Sequence, residues 1–86
     1  MTENEAPIIT PKIAREVLYQ FDKSEGTNPG YTFNKFYEFL GHADENVMAR
    51  AALGFPIEVA AFTLARKPGG IAALRIIANK LSLVSE

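Results

Sequence analysis

Residues 44–66, DENVMARAALGFPIEVAAFTLAR, form the densest apolar run in the chain and most limit how the chain can fold. Asp44 can cap a helix, because its carboxylate can accept a hydrogen bond from a backbone N–H one turn later. Gly54 can take the left-handed conformation that ends a helix, and Pro56 suits the first position of the next helix. The run therefore predicts two helices joined at a hinge, with the Phe55 ring packed against both.

Helical spacing of apolar residues continues on either side of this run. Thr10 and Pro11 form a helix start, and the helix that follows has an apolar stripe opposite a polar face that includes Glu16. A turn-rich loop comes next, and Thr32 is the predicted cap of the second helix, with Tyr31 stapled onto Phe36.

The short link at residues 42–43 predicts that the second and third helices pack as neighbours. A Pro-Gly-Gly break then precedes a last helix. We predict an all-α fold, with residues 1–9 as a mobile acidic arm and residues 10–86 as a single domain. This domain is a compact bundle of about five short helices, at residues 11–23, 33–40, 45–53, 56–66 and 70–82.

Composition excludes several classes of protein. The chain has 86 residues and no cysteine, so it is one small domain without disulfides or a thiolate zinc site. Its net charge of −1 argues against a generic nucleic-acid coat, although residues 46–85 contain five basic residues and one acidic residue. The longest apolar stretch is too short to span a bilayer. We expect a cytoplasmic protein that does not enter the membrane.

Four segments of the chain resemble a family of short, uncharacterised proteins encoded by mycobacteriophages and related actinobacterial phages. They are ITPKIAREVLYQFD, NPGYTF, HADENVMARAALGFPIEVAA and GGIAALRIIA, which together cover most of the chain. The resemblance implies a phage gene product that acts in the bacterial host cytoplasm. It implies no activity and assigns no functional residue.

No cluster of residues predicts catalysis, a metal or a cofactor. His42, Asp44 and Glu45 are the only grouping with metal-ligand chemistry, but His42 is the sole histidine and Asp44 is explained as a helix cap. No serine has a histidine near it in sequence to act as a base. Residues 66–70 could bind an anion, but they lack the spacing of a phosphate loop and fit a solvated connector better. We expect a protein that is not an enzyme.

An alternative function is a DNA-binding regulator that uses residues 44–66 as a helix-turn-helix pair. Leu53, Gly54 and Phe55 resemble the turn of that motif. Arg50 stands where a small residue is usually required, and the second helix offers mainly Val, Ala and Phe to a groove. Nucleic acid is therefore the less favoured partner.

The fourth and fifth helices carry more apolar residues than one inward face can use. Val59 and Phe62 fall on the polar side of the fourth helix, and Ile76 lies off the apolar stripe of the fifth. Either the bundle surrounds the fourth helix on all sides, or these residues form an exposed patch for a protein partner. The partner would be a second copy of the chain, or a host or phage protein. The candidate protein-binding residues are Val59, Phe62, Arg66, Lys67, Arg75 and Ile76.

Overall fold

The computed structural model describes residues 8–80, which form five α-helices and no strand. The predicted all-α bundle is therefore confirmed. Residues 1–7 of the predicted arm and residues 81 and 82 of the predicted fifth helix lie outside the described part, while Ile9 packs on the core. No helix within residues 8–80 is long and apolar enough to cross a membrane. The helices are α1 (Pro11–Phe21), α2 (Tyr31–His42), α3 (Glu45–Gly54), α4 (Pro56–Ala65) and α5 (Gly70–Lys80).

The core forms around α4, which packs against all four other helices. α1 and α5 pair along their lengths and enclose one side of it, while α2 and α3 lie on the others. Each large apolar side chain that is fully buried contributes about 1.5–3 kcal/mol, so these contacts outweigh any local helix preference. The buried apolar residues are Ile13, Ala14, Val17, Leu18, Tyr37, Leu40, Val59, Ala61, Phe62, Ala65, Leu74 and Ala78.

α1 begins as its sequence predicts. The Thr10 hydroxyl accepts a hydrogen bond from the Ile13 amide at 3.2 Å, and Pro11 occupies the first turn. The helix ends at Phe21, two residues earlier than predicted, because Asp22 is extended and its carboxylate accepts from both the amide and the hydroxyl of Ser24. These hydrogen bonds hold the pKa of Asp22 below its usual value.

α2 begins one residue earlier than its predicted cap. Gly30, with φ of 99°, is the residue before the helix, and the Asn28 side chain accepts a hydrogen bond from its amide. This turn fixes the chain so that Thr32 already lies inside the helix, and the predicted Thr32 cap is wrong. Tyr31 is exposed and lies under the Lys35 ammonium, 5.7 Å from its ring centre, so the predicted staple onto Phe36 is not formed.

The hinge between α3 and α4 has a different geometry from the predicted one. Asp44 caps α3, with its carboxylate accepting from the Val47 amide at 2.9 Å, as predicted. Gly54, however, lies within α3 and does not have a positive φ; the chain changes direction at Phe55, with φ of −134° and ψ of 61°. Pro56 starts α4, as expected. The aromatic contacts of Phe55 are with α2, whereas the sequence predicted packing against both flanking helices.

We expect Gly54→Ala to raise the free energy of unfolding by up to about 1 kcal/mol, because glycine in a right-handed helix costs backbone entropy that alanine does not. An added Cβ at this position would meet no atom within 4 Å. Urea melts of the variant and the parent measure the difference. A loss of stability above about 1 kcal/mol would instead indicate a left-handed residue.

Candidate interaction surface

The structure places two of the six predicted protein-binding residues in the core. Phe62 is only 6% exposed, and Val59 is also buried. The predicted exposed patch is therefore wrong for these two residues. The physical reason is that helices cover α4 on all sides, so its polar-looking side faces protein as well. The Phe62 ring lies 5.5 Å from Phe21 and is stacked at 6.3 Å on Tyr37, measured between ring centres.

Of the four remaining predicted residues, only Ile76 is a large exposed apolar side chain, at 62% exposure. Arg66 and Lys67 are exposed beyond the end of α4, and the Arg66 guanidinium lies 5.6 Å from the centre of the Phe62 ring. Arg75 donates two hydrogen bonds to Glu25, at 3.0 and 2.7 Å. This ion pair lowers the pKa of Glu25 and raises that of Arg75. Arg75 thus joins α5 to the loop after α1.

A larger exposed apolar area than the one at Ile76 lies on α2 and at the corner between α3 and α4. Phe36 lies at its centre, with ring centres 4.7 Å from Phe55, 5.8 Å from Phe33 and 6.5 Å from Phe39. Phe39 is 50% exposed, Phe55 is 41% exposed, and Leu53, two residues before Phe55, is 87% exposed. We name these five residues the α2–α3 surface. The four phenylalanine rings contact one another, and contiguous exposed apolar groups of this kind mark interaction sites in soluble proteins.

A cleft between α2 and α3 adjoins Phe39. Its volume is about 310 Å³, and Phe39, Val47, Arg50 and Ala51 line it. α3 packs mainly on α4 and makes no extensive contact with α2, so the predicted close packing of these two helices is wrong. Arg50 is exposed and forms no ion pair with any residue in the described range 8–80. The cleft is therefore apolar inside with one basic side chain at its edge.

α3 is the least buried of the five helices. None of its residues is buried, whereas α1 has five buried residues. Three of its apolar side chains, Met48, Ala51 and Ala52, are half-buried against the core, and Leu53 is almost fully exposed. A helix of ten residues is not stable alone in water, so α3 depends on the little it buries against α4. An amphipathic helix with so little cover has apolar area left for a partner.

The sequence contained a signal for this surface. Phe33, Phe36 and Phe39 are spaced three residues apart, so they form a stripe that turns gradually around α2. The stripe begins at the core and ends in solvent, because Phe33 and Phe36 are half-buried and Phe39 is half-exposed. Phe55 could not be joined to it from the sequence, because its contact with Phe33 and Phe36 depends on the angle of the hinge.

A buried carboxylate lies on the other side of α2. Glu16 was predicted on the polar face of α1, but it is buried, and it accepts hydrogen bonds from the Lys12 ammonium at 3.1 Å and the Tyr37 hydroxyl at 3.4 Å. Burial raises the pKa of Tyr37, and the Glu16 carboxylate adds to this effect. Tyr37 therefore stays protonated and donates to Glu16. Within residues 8–80 no buried side-chain polar atom lacks a hydrogen-bond partner, so this pair is a satisfied core contact.

A second, more polar cleft of about 420 Å³ opens between α1 and α2. The Gln20 amide donates to Asn34 at 2.8 Å, and Asn34 donates in turn to Asn28 at 2.8 Å. These amides are used in holding the loop after α1 against α2. The cleft contains no histidine or serine that could act as a nucleophile or base.

The other sequence-based candidates are not assembled into sites. His42 is exposed at the end of α2, and Asp44 is used as the α3 cap. Within residues 8–80 no group of three His, Cys, Asp or Glu side chains could hold a metal ion. α4 would be the recognition helix of the helix-turn-helix alternative, but apart from Pro56 it has no exposed residue. A helix enclosed in this way cannot enter the major groove of DNA.

Comparisons with known proteins do not assign a family. No protein-family model, curated protein or solved structure matches the chain. The geometry of the helices and the resemblance of the four sequence segments are therefore the basis for a functional interpretation.

Proposed function

We propose that this chain is a small non-enzymatic phage protein that acts in the bacterial cytoplasm through contact with another protein molecule. The resemblance of four sequence segments to actinobacterial phage proteins supports the origin. The observation that supports protein contact is the α2–α3 surface, where Phe39 and Phe55 are 50% and 41% exposed around the half-buried Phe36. Leu53, two residues before Phe55, is 87% exposed.

The chemistry of this surface favours a protein partner over nucleic acid. Protein interfaces are enriched in aromatic side chains and arginine at their centres, and Phe39 and Arg50 line the same cleft. Binding of nucleic acid relies on many lysine and arginine contacts with phosphates. The α2–α3 surface itself contains only apolar residues, and Arg50 is the one basic residue in the lining of its cleft.

The proposal moves the interaction site away from the residues first suggested by helical periodicity. Val59 and Phe62 are buried and are not available to a partner. Ile76 remains exposed on α5, without a neighbouring aromatic cluster in the described part of the chain. Ile76 therefore provides a matched control for variants on the α2–α3 surface.

Photo-crosslinking tests the proposal. Ala49 is exposed on α3 one turn from Leu53, so Ala49→p-benzoylphenylalanine places the crosslinker beside the surface, and the same change at Ile76 is the control. We expect covalent protein adducts from position 49, either with the purified protein or in an actinobacterial lysate. The yield of these adducts should not fall at high salt. Adding Phe39→Ser should remove them. Adducts that are absent in both settings, or that persist with Phe39→Ser, would contradict the proposal.

A further inference from the structure

α3 is attached to the rest of the fold by few side-chain contacts. Six of its ten residues are exposed, none is buried, and only Met48, Ala51 and Ala52 pack against the core. Within residues 8–80 no α3 side chain forms a hydrogen bond or an ion pair with another helix. Three half-buried apolar side chains therefore supply most of what holds α3 on α4.

The other four helices are held together without α3. α1 packs on α2, α4 and α5, and α4 packs on α2 and α5. The Gln20–Asn34 hydrogen bond also joins α1 to α2. Phe55, which follows α3, is fixed to α2 by its ring contacts with Phe33 and Phe36, at 6.0 and 4.7 Å between ring centres. None of these contacts involves a residue of α3.

The two ends of α3 can stay in place when the helix is lost. Ten helical residues have a length of about 15 Å, at about 1.5 Å per residue. The same ten residues can reach up to about 33 Å when they are fully extended. An unfolded segment therefore spans the gap between α2 and Phe55 without strain, and neither α2 nor α4 has to move.

We propose that α3 unfolds and refolds as a separate unit while α1, α2, α4 and α5 remain folded. Segments with few buried apolar contacts open at a free energy well below that of the whole chain. A helix of ten residues is not stable alone, so α3 unfolds once it leaves α4. Opening removes the wall that Val47, Arg50 and Ala51 form opposite Phe39, so the cleft exists only while α3 is folded. This opening is a property of the free chain, needs no partner and goes beyond the proposed function.

Amide hydrogen exchange of the full chain, followed by NMR, tests the separate opening of α3. It is measured at a pH where the exchange rate is proportional to the open fraction, and each rate is corrected for the intrinsic rate of that amide. We expect the amides of residues 50–54 to exchange at least about 100-fold faster than the core amides of α1 and α4. Low concentrations of urea should accelerate the core amides much more than those of α3, because opening α3 exposes little surface.

Val17→Ala distinguishes local opening from unfolding of the whole chain. Val17 is fully buried in α1, which makes no extensive contact with α3. The substitution should accelerate the core amides about tenfold, because it destabilises the folded chain. It should leave residues 50–54 unchanged, because it destabilises the forms with α3 closed and open equally.

Ala49→Gly is the matched substitution within α3, at an exposed position. It should accelerate the exchange of residues 50–54 about fivefold, because glycine has a lower helix propensity than alanine. Circular dichroism verifies that both variants remain folded. Residues 50–54 that exchange as slowly as the α1 core in the parent, or that Val17→Ala accelerates as much as the core, would show that α3 opens only with the whole chain. Either result overturns the inference.

Discussion

Phe62→Ser is expected to lower the free energy of unfolding by about 3–5 kcal/mol, because it removes a buried ring and leaves a cavity and a hydroxyl without a partner. Phe62 is 6% exposed, and its ring contacts Phe21 of α1 and Tyr37 of α2. A chain of 86 residues has a total stability of about 4–13 kcal/mol. The variant should therefore be partly or largely unfolded at 25 °C, as measured by urea melts at low concentration.

The matched control is Ile76→Ser, which removes an exposed aliphatic side chain from α5. Its free energy of unfolding should stay within about 0.5 kcal/mol of that of the parent, as expected for a surface change. If Phe62→Ser melts with the parent, the ring is not in the core, and helices do not cover α4 as described.

Gly70→Ala is expected to lower the free energy of unfolding by at least about 2 kcal/mol through overpacking at the α4–α5 connection. Gly70 is buried at the start of α5, and a Cβ added there would overlap the carbonyl oxygen of Leu64. The carbonyl oxygen belongs to the backbone and the position of a Cβ is fixed by its own backbone, so rotation of a side chain cannot relieve the overlap. α5 would have to move away from the end of α4, which would disturb the packing of Leu74 in the core.

Gly54→Ala is the natural comparison, because the same substitution there meets no atom within 4 Å. The two variants should change stability in opposite directions in parallel thermal melts. Equal melting temperatures for Gly70→Ala and the parent would mean that α5 does not approach Leu64 closely.

Helix starts could be predicted from the sequence because their causes are local. The Thr10 and Asp44 caps each bond to an amide three residues later, and Pro11 and Pro56 fix their own φ angles. These interactions form whatever the rest of the chain does. They placed the starts of α1, α3 and α4 at the observed residues.

Local rules were less successful where two of them competed. Thr32 can cap a helix, but the Asn28 turn and the positive φ of Gly30 start α2 earlier. Gly54 can end a helix in the left-handed conformation, but Phe55 takes the corner instead, because its ring gains contacts with α2. Short-range patterns do not indicate which of two possible helix boundaries allows the more favourable contacts with residues far along the chain.

The sequence by itself determined the helices and the existence of one small apolar core, since periodicity and caps act within a few residues. Only the tertiary structure decided which apolar side chains reach solvent. Val59 and Phe62 look peripheral on an isolated α4 and become core because four helices surround it. Phe39 stays exposed because α3 packs on α4 and leaves a cleft beside α2, and Leu53 is 87% exposed because no helix within residues 8–80 covers its side of α3. Exposure depends on the neighbours that the folded chain places around a helix, which spacing along one helix does not contain.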